Sequence, residues 1–231
     1  MLNTASRLAV VALASASLGQ STPRNDAGRV WTFESLNNLK VINGTAETVT
    51  YRGRRALHLI PAADPRESAD SITAILADSD FTNGTIEAEV AGAPRAGAPE
   101  TARGFIGIAF RVQTDESRYE SMYLRPTNGR ADDQVRRNHS VQYTSEPDFP
   151  WPRLRKERPE TYESYVDLEP GAWTQMKISV SDLRAQLFVN GAAQPCLIVN
   201  DLKLGNTHGR IAVWAHVTTD GYFARVAVHR Q

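Results

Sequence analysis

The feature that most constrains this chain is the alternation, from residue 30 to the end, of short apolar runs with turn-forming residues. The apolar runs are rich in β-branched and aromatic residues, and clusters of Gly, Pro, Asn and Asp separate them. No stretch keeps the 3.6-residue apolar period of a helix over several turns. The pattern predicts an all-β protein of two packed antiparallel sheets or a barrel, because an open sheet of this size would leave long unpaired edges. The predicted strands cover residues 30–33, 47–51, 56–60, 71–76, 84–90, 104–112, 119–125, 139–143, 165–168, 173–180, 184–189, 196–199, 210–216 and 222–228.

One hairpin is predicted in detail at Asn190-Gly191, because both residues tolerate the positive φ of a tight turn. The flanking segments, 184–189 and 196–199, alternate in polarity as paired strands do. Apolar and polar residues also alternate over 173–180, so this sheet is expected to have one buried and one solvated face.

The N-terminal residues have the pattern of a secretory signal peptide. Arg7 precedes a short apolar run, 8–18, and the polar residues 20–22 follow it. We therefore predict a signal peptide at 1–22, a single domain at 23–231, and a secreted or periplasmic protein. No stretch is long and apolar enough to predict a membrane span. The 26 basic and 26 acidic residues cancel, which argues against nucleic acid as a partner.

Several segments carry a likeness to a known superfamily. They read Phe81-Thr-Asn-Gly-Thr-Ile-Glu-Ala-Glu-Val90, Gly104-Phe-Ile-Gly-Ile-Ala-Phe-Arg111, Tyr119-Glu-Ser-Met-Tyr-Leu-Arg-Pro126, Gly171-Ala-Trp-Thr174, Phe188-Val-Asn-Gly191, Asp201-Leu-Lys-Leu-Gly205 and Gly209-Arg-Ile-Ala-Val-Trp214. In these segments the chain resembles the concanavalin A-like lectin/glucanase superfamily, including laminin-G-like modules and 3-keto-disaccharide hydrolase-like proteins. The resemblance implies a two-sheet antiparallel jelly-roll sandwich, with a concave sheet face at which members bind or cleave glycans.

The chain departs from the glucanases of that superfamily, whose catalytic strand reads Glu-x-Asp-x-(x)-Glu. Glu87 and Glu89 share a strand face, but no third carboxylate completes such a triad. No catalytic residue is therefore transferred from the resemblance. Laminin-G-like modules imply a structural calcium as the one cofactor to consider, and the sequence names no ligand for it.

Strand alternation predicts a ligand-binding face. Residues two apart on a strand share a face, so Tyr119, Tyr123 and Arg125 lie together, and the neighbouring strand adds a floor of small residues ending in Arg111. Aromatic rings stack on sugar C–H faces, and an arginine fork holds a carboxylate or sulfate. The predicted ligand is a carbohydrate, with an acidic glycan as a candidate. The alternative interpretation is a solvated sheet face on which the arginines pair with nearby carboxylates.

The long segment 126–163 is expected to fold over this face, because long loops in compact domains are commonly functional and this one carries aromatic residues. From it we add Gln142, Tyr143 and Trp151 to the predicted ligand-binding residues.

Three residues are candidates for acid–base chemistry: Glu120, Asp133 and His139. Three functions are left open. The first is a glycan-binding protein. The second is a glycoside hydrolase or polysaccharide lyase on the same fold, including a 3-keto-disaccharide hydrolase-like activity. The third is a non-catalytic surface interaction protein. The oligomeric state is not predicted.

Overall fold

The computed structural model describes residues 28–62 and 70–231, and in this part of the chain two antiparallel β-sheets pack face to face. The predicted all-β sandwich is confirmed. The strands are β1 (Arg29–Trp31), β2 (Leu39–Ile42), β3 (Gly44–Tyr51), β4 (Arg54–Pro61), β5 (Ser71–Leu76), β6 (Gly84–Pro94), β7 (Ile106–Val112), β8 (Tyr119–Leu124), β9 (Val141–Glu146), β10 (Glu163–Ser164), β11 (Thr174–Ser181), β12 (Arg184–Val189), β13 (Leu197–Val199), β14 (Arg210–His216) and β15 (Thr219–Arg230).

The two sheets have different strand orders. Sheet A runs β13-β12-β11-β6-β15-β4-β3, with β1 also paired to β15, and sheet B runs β10-β9-β8-β7-β14-β5-β2. The core lies between them, where Ile106, Ile108 and Phe110 of β7 are fully buried, as are Met176 and Ile178 of β11. Successive side chains of a strand point alternately into this core and to the outward face of the sheet. The residues between the core positions of sheet B therefore form its outward face.

Two strand predictions differ from the structure. The predicted strand at 165–168 is wrong, because the strand that pairs with β9 is β10, two residues further towards the N-terminus. The strand β2 was not predicted. Its four residues pair with β5 at the edge of sheet B, and so short a run carries little periodicity.

The segment 126–163, which was expected to be a loop, contains two short helices and a 3-10 turn. The 3-10 turn covers Pro126–Asn128, α1 covers Gln134–Asn138 and α2 covers Trp151–Glu157. Asp133 caps α1, since its side chain accepts a hydrogen bond of 2.9 Å from the backbone N–H of Arg136.

The predicted hairpin is confirmed. Asn190 and Gly191 both have positive φ, 51° and 72°, and β12 pairs with β13 in antiparallel register. Positive φ at both residues allows the tight turn after β12, which the Ala192 N–H closes by donating to the Val189 carbonyl oxygen at 3.1 Å, and residues 190–196 complete the connection to β13.

The signal peptide predicted at 1–22 lies outside the described residues. Within 28–62 and 70–231, every helix is too short or too polar to cross a lipid bilayer.

Candidate functional site

A row of side chains crosses the outward face of sheet B. The strand registers align Glu163, Gln142, Tyr123, Gly107 and Trp214 on five neighbouring strands. The rings of Tyr123 and Trp214 stack across the glycine, with centroids 4.9 Å apart. Sheet pairing thus brings together residues that are far apart in the chain, and it forms an aromatic surface that ends at a charged group.

Gly107 makes this stacking geometry available. A Cβ atom built there would lie 2.3 Å from the Met122 carbonyl oxygen and 2.6 Å from the Tyr123 Cα atom. We expect Gly107→Ala to destabilise the protein by about 1–3 kcal/mol, the usual effect of overpacking, although alanine is ordinarily the better strand residue. Urea denaturation measures the change, and an unchanged midpoint would contradict it.

Arg125 lies at the charged end of the row and is hydrogen-bonded to three of the side chains there. It is 4% exposed. Its Nη1 donates to Glu163 Oε2 at 3.0 Å, and its Nη2 donates to the Tyr123 hydroxyl at 3.2 Å and to Gln142 Oε1 at 3.0 Å. A buried guanidinium needs a carboxylate and several acceptors, and these residues supply both. Arg125 is therefore held rigidly beneath the site.

Glu163 joins the buried guanidinium of Arg125 to the more exposed one of Arg155, which donates from Nε to Glu163 Oε1 at 2.6 Å. Burial alone would raise the pKa of Glu163, but the hydrogen bonds from Arg155 and Arg125 outweigh it and hold the pKa below its usual range. Glu163 is thus an ionised carboxylate that orients two arginines.

Helix α2 presents the accessible ring of the site. Trp151 and Arg155 are four residues apart, so they share a helix face, and the Arg155 guanidinium carbon lies 4.7 Å from the Trp151 ring centroid. The Arg125 guanidinium carbon lies 5.8 Å from the same centroid. Trp151 is 44% exposed, in contrast to the buried Tyr123. It therefore offers a ring to which a ligand has access.

His139 borders the same group of residues from the end of α1. Its Nε2 lies 3.7 Å from Glu163 Oε1, and its backbone carbonyl accepts from Arg125 Nη1 at 3.2 Å. Burial lowers the pKa of His139, with Glu163 acting in the opposite direction, so the neutral imidazole is favoured at neutral pH. We call Arg125, His139, Trp151, Arg155 and Glu163 the Glu163 cluster.

The structure places three of the predicted site residues elsewhere. Arg111, expected to border the trough, is fully buried and donates to the backbone oxygens of Thr82, Asp182 and Gly205. The reason is a register irregularity between β7 and β14 next to it, together with its φ of 52°, which redirect the side chain.

Glu120 and Tyr143, expected to act as acid–base and ligand-binding residues, point into the core, where the tyrosine hydroxyl donates to Glu120 Oε2. Glu120 Oε1 also accepts from the backbone N–H of Leu204 at 2.7 Å. Burial raises the pKa of Glu120. This pair ties the loop after β13 to the core and has no access to a ligand.

The remaining two candidates lie at the margin of the site. Asp133 is exposed and is engaged as the cap of α1. Tyr119 does lie on the outward face of sheet B, opposite Glu146. It is four residues from Tyr123 along β8, on the side away from Arg125, so it belongs to the aromatic surface and not to the Glu163 cluster.

The candidate acidic residues do not form a pair of carboxyl groups suited to glycoside hydrolysis. That chemistry needs two carboxyls on either side of the scissile bond, one of them protonated. Glu163 is ionised and doubly paired, Glu120 faces the core, and Asp133 caps a helix. In residues 28–62 and 70–231, no three acidic, histidine or cysteine side chains converge to hold a metal ion.

A cleft of about 390 Å³ lies on the outward face of sheet A, lined by residues that include Glu87, Glu89, Lys177, Phe188 and Arg225. Its charges are of both signs, and Arg225 Nη1 lies 3.8 Å from Glu87 Oε2. Balanced charge and a single lining ring are expected of a solvated sheet face. We therefore place the candidate site at the Glu163 cluster.

The sequence contained one signal for the residues that the predictions omitted. Trp151 and Arg155 are spaced for one helix face, a spacing that a loop prediction over 126–163 does not use. The association of Glu163 with Arg125 spans 38 residues and leaves no local signal.

Comparisons with known proteins agree on the fold. No protein-family model matches the chain, and no curated protein matches it in sequence. Among solved structures, it is similar to the carbohydrate-binding module CBM66 from Bacillus subtilis, with 12% identity, a TM-score of 0.54, and 80% of this chain and 91% of that chain covered. It is also similar to a Bacillus subtilis protein of unknown function with a galectin-like fold, with 12% identity, a TM-score of 0.57, and coverage of 88% and 96%.

A third similar structure is the exoplasmic/lumenal domain of VIP36 in its Ca²⁺/Man3GlcNAc-bound form, with 7% identity, a TM-score of 0.50, and coverage of 84% and 83%. Likeness at such low identity shows the fold and no more. The fold is thus the two-sheet antiparallel β-sandwich that the sequence predicted, and these structures share it.

Proposed function

We propose that this protein binds a polysaccharide or oligosaccharide at the Glu163 cluster, on the outward face of sheet B. The observation that carries the proposal is the exposed Trp151 ring beside a buried, rigidly hydrogen-bonded network of polar side chains. Sugars present apolar C–H faces and hydroxyl groups together, so a site for them combines an accessible ring with planar hydrogen-bonding groups.

The polar part of the site is preorganised. Arg125 is fixed by three side chains, and Arg155 is fixed by Glu163 and by the ring of Trp151. Little side-chain entropy remains to be lost when a ligand binds, which favours affinity. Two structures with the same fold, a carbohydrate-binding module and the VIP36 domain with Man3GlcNAc, are consistent with a glycan as partner.

Binding is favoured over catalysis because the three acidic groups of the candidate site, Glu120, Asp133 and Glu163, do not form the carboxyl pair that glycoside hydrolysis needs. The proposed place of action is outside the cytoplasm, in the periplasm or the medium. This part of the proposal rests on the signal-peptide pattern of residues 1–22.

The proposal is tested by replacing Trp151 with alanine. We expect affinity electrophoresis against a panel of neutral and acidic polysaccharides to show at least about tenfold weaker retention, which corresponds to roughly 1.4 kcal/mol. Tyr123 and Arg125 are poorer choices, because both are buried and their removal would also disturb folding.

The matched control is Tyr165→Ala. Tyr165 is 40% exposed and carries Arg137 at 5.1 Å from its ring, so it resembles Trp151 in exposure and in its stacked arginine, but it lies outside the cluster. Retention should be unchanged in this variant. Equal retention of wild type and Trp151→Ala on every polysaccharide that the wild type binds would overturn the proposed site.

A further inference from the structure

A second pair of rings lies on the outward face of sheet B, one row beyond Tyr123 and Trp214. Phe105 immediately precedes β7, two residues before Gly107, and His216 ends β14, two residues after Trp214. Because residues two apart on a strand share a face, both side chains lie on the outward face. The His216 backbone N–H donates to the Phe105 carbonyl oxygen at 3.1 Å, which holds the two residues side by side.

The rings of Phe105 and His216 contact each other. Their centroids lie 5.1 Å apart, and their planes are inclined by 45°. Phe105 also packs edge-on against Tyr123, with centroids 6.2 Å apart. Phe105 and His216 are half-buried, whereas Tyr123 and Trp214 are almost completely buried. The first two rings are therefore the more accessible part of this aromatic surface.

A backbone hydrogen bond fixes the proton of the His216 ring. The backbone N–H of Thr218 donates to His216 Nδ1 at 3.1 Å, so Nδ1 carries a lone pair and the proton of the neutral ring is on Nε2. Burial lowers the pKa of His216, with Asp70 acting in the opposite direction, which favours this neutral form. Within residues 28–62 and 70–231, both hydrogen bonds of the ring are made by Nδ1. The Nε2–H group is thus a donor beside an aromatic ring.

Arg125 connects these two rings to the Glu163 cluster. Its guanidinium carbon lies 5.9 Å from the Phe105 ring centroid and 5.8 Å from the Trp151 ring centroid. Phe105 and Trp151 thus adjoin the same buried guanidinium, which its hydrogen bonds hold in place. A glycan that lies on Trp151 and continues across Arg125 therefore reaches Phe105 and His216.

We propose that Phe105 and His216 form a second sugar subsite, so that the ligand of the Glu163 cluster is a glycan chain bound over several consecutive sugar units and not a single terminal sugar. One unit lies on Trp151 and a later one on Phe105, and the Nε2–H of His216 donates to an oxygen atom of the later unit. This inference rests on the proposed function and specifies the size of the ligand.

The test measures how affinity depends on chain length. Isothermal titration calorimetry is carried out with linear series, each from the monosaccharide to the hexasaccharide, of cellulose, laminarin, amylose, mannan and polygalacturonate. We expect the wild type to bind the hexasaccharide of at least one series about thirtyfold or more tightly than its monosaccharide. That ratio exceeds what the several equivalent binding positions along a hexasaccharide account for.

Two variants remove the rings with little change in packing. Phe105→Leu keeps an apolar side chain against Tyr123, and His216→Asn keeps an acceptor oxygen close to the position of Nδ1 for the Thr218 N–H. We expect each variant to weaken hexasaccharide binding about tenfold more than monosaccharide binding, because only the longer ligand spans both subsites.

The matched controls lie away from the subsite. Phe188 is half-buried on the outward face of sheet A and has Lys177 at 5.8 Å from its ring, as Phe105 has Arg125. His208 precedes β14, at the end of that strand opposite to His216. Phe188→Leu and His208→Asn should therefore change hexasaccharide affinity less than about twofold.

The second subsite and the proposed function fail separately. If the wild type binds monosaccharide and hexasaccharide equally, or if Phe105→Leu and His216→Asn behave as their controls, the second subsite is overturned while glycan binding stands. If both variants weaken monosaccharide and hexasaccharide binding alike, the two rings have a structural role and the subsite is again overturned. Unchanged binding in Trp151→Ala would instead overturn the proposed site itself, and a wild type that binds no member of any series would overturn both.

Discussion

Replacing Glu163 with alanine is expected to lower the free energy of unfolding by about 3–5 kcal/mol and to abolish glycan binding. The carboxylate is the partner of Arg125, whose side chain is 5% exposed, and without it that guanidinium stays buried with an uncompensated charge. Arg155 loses its hydrogen-bonded position at the same time. Urea denaturation followed by tryptophan fluorescence measures the first effect, and affinity electrophoresis measures the second.

The control for this variant is Glu157→Ala, which removes a carboxylate from an exposed pair with Arg153. Exposed pairs contribute little, so the expected loss is below about 1 kcal/mol. A loss for Glu163→Ala as small as that of the control would show that the cluster is solvated, contrary to the arrangement described above.

Replacing Arg111 with alanine is expected to cost a similar amount, about 3–5 kcal/mol, while leaving the glycan affinity of the folded protein unchanged. Its guanidinium joins Thr82 before β6, Asp182 in the β11–β12 turn and Gly205 after β13. Truncation leaves three backbone oxygens without their donor and opens a cavity. The opposite sheet face carries the proposed site, so binding should persist.

The control is Arg118→Ala, on the exposed loop before β8, with an expected change of no more than about 0.5 kcal/mol. Denaturation midpoints compare the two variants. If folded Arg111→Ala loses glycan binding, Arg111 binds ligand, as the sequence suggested. If the variant loses stability and still binds glycan, the role of Arg111 is structural.

Much of the fold follows from local periodicity. The alternation of β7 and β8 correctly separated Ile106, Ile108 and Phe110 from the outward residues, and the hairpin at Asn190-Gly191 was readable because two residues decide its turn. The same alternation should have divided Gln142 from Tyr143, which are adjacent on β9 and face opposite sides. The prediction that both bind ligand is therefore wrong for Tyr143, which faces the core.

Other features have no local cause. The irregularity beside Arg111 depends on the partner strand β14, and it turns a side chain that simple alternation places outward. The pairing of Arg125 with Glu163 depends on the register of three strands. Such contacts appear only once the sheet has formed.

The sequence by itself determined the sandwich fold and the outward face of β8, because hydrophobic periodicity acts over neighbouring residues. It also contained the residue types of the proposed glycan site. Only the tertiary structure decided which of them meet, because it brought Trp151, Arg155 and Glu163 to Arg125 and His139. The physical reason is that buried charges are satisfied across strands and loops, and the partners in such contacts are fixed by packing and not by spacing along the chain.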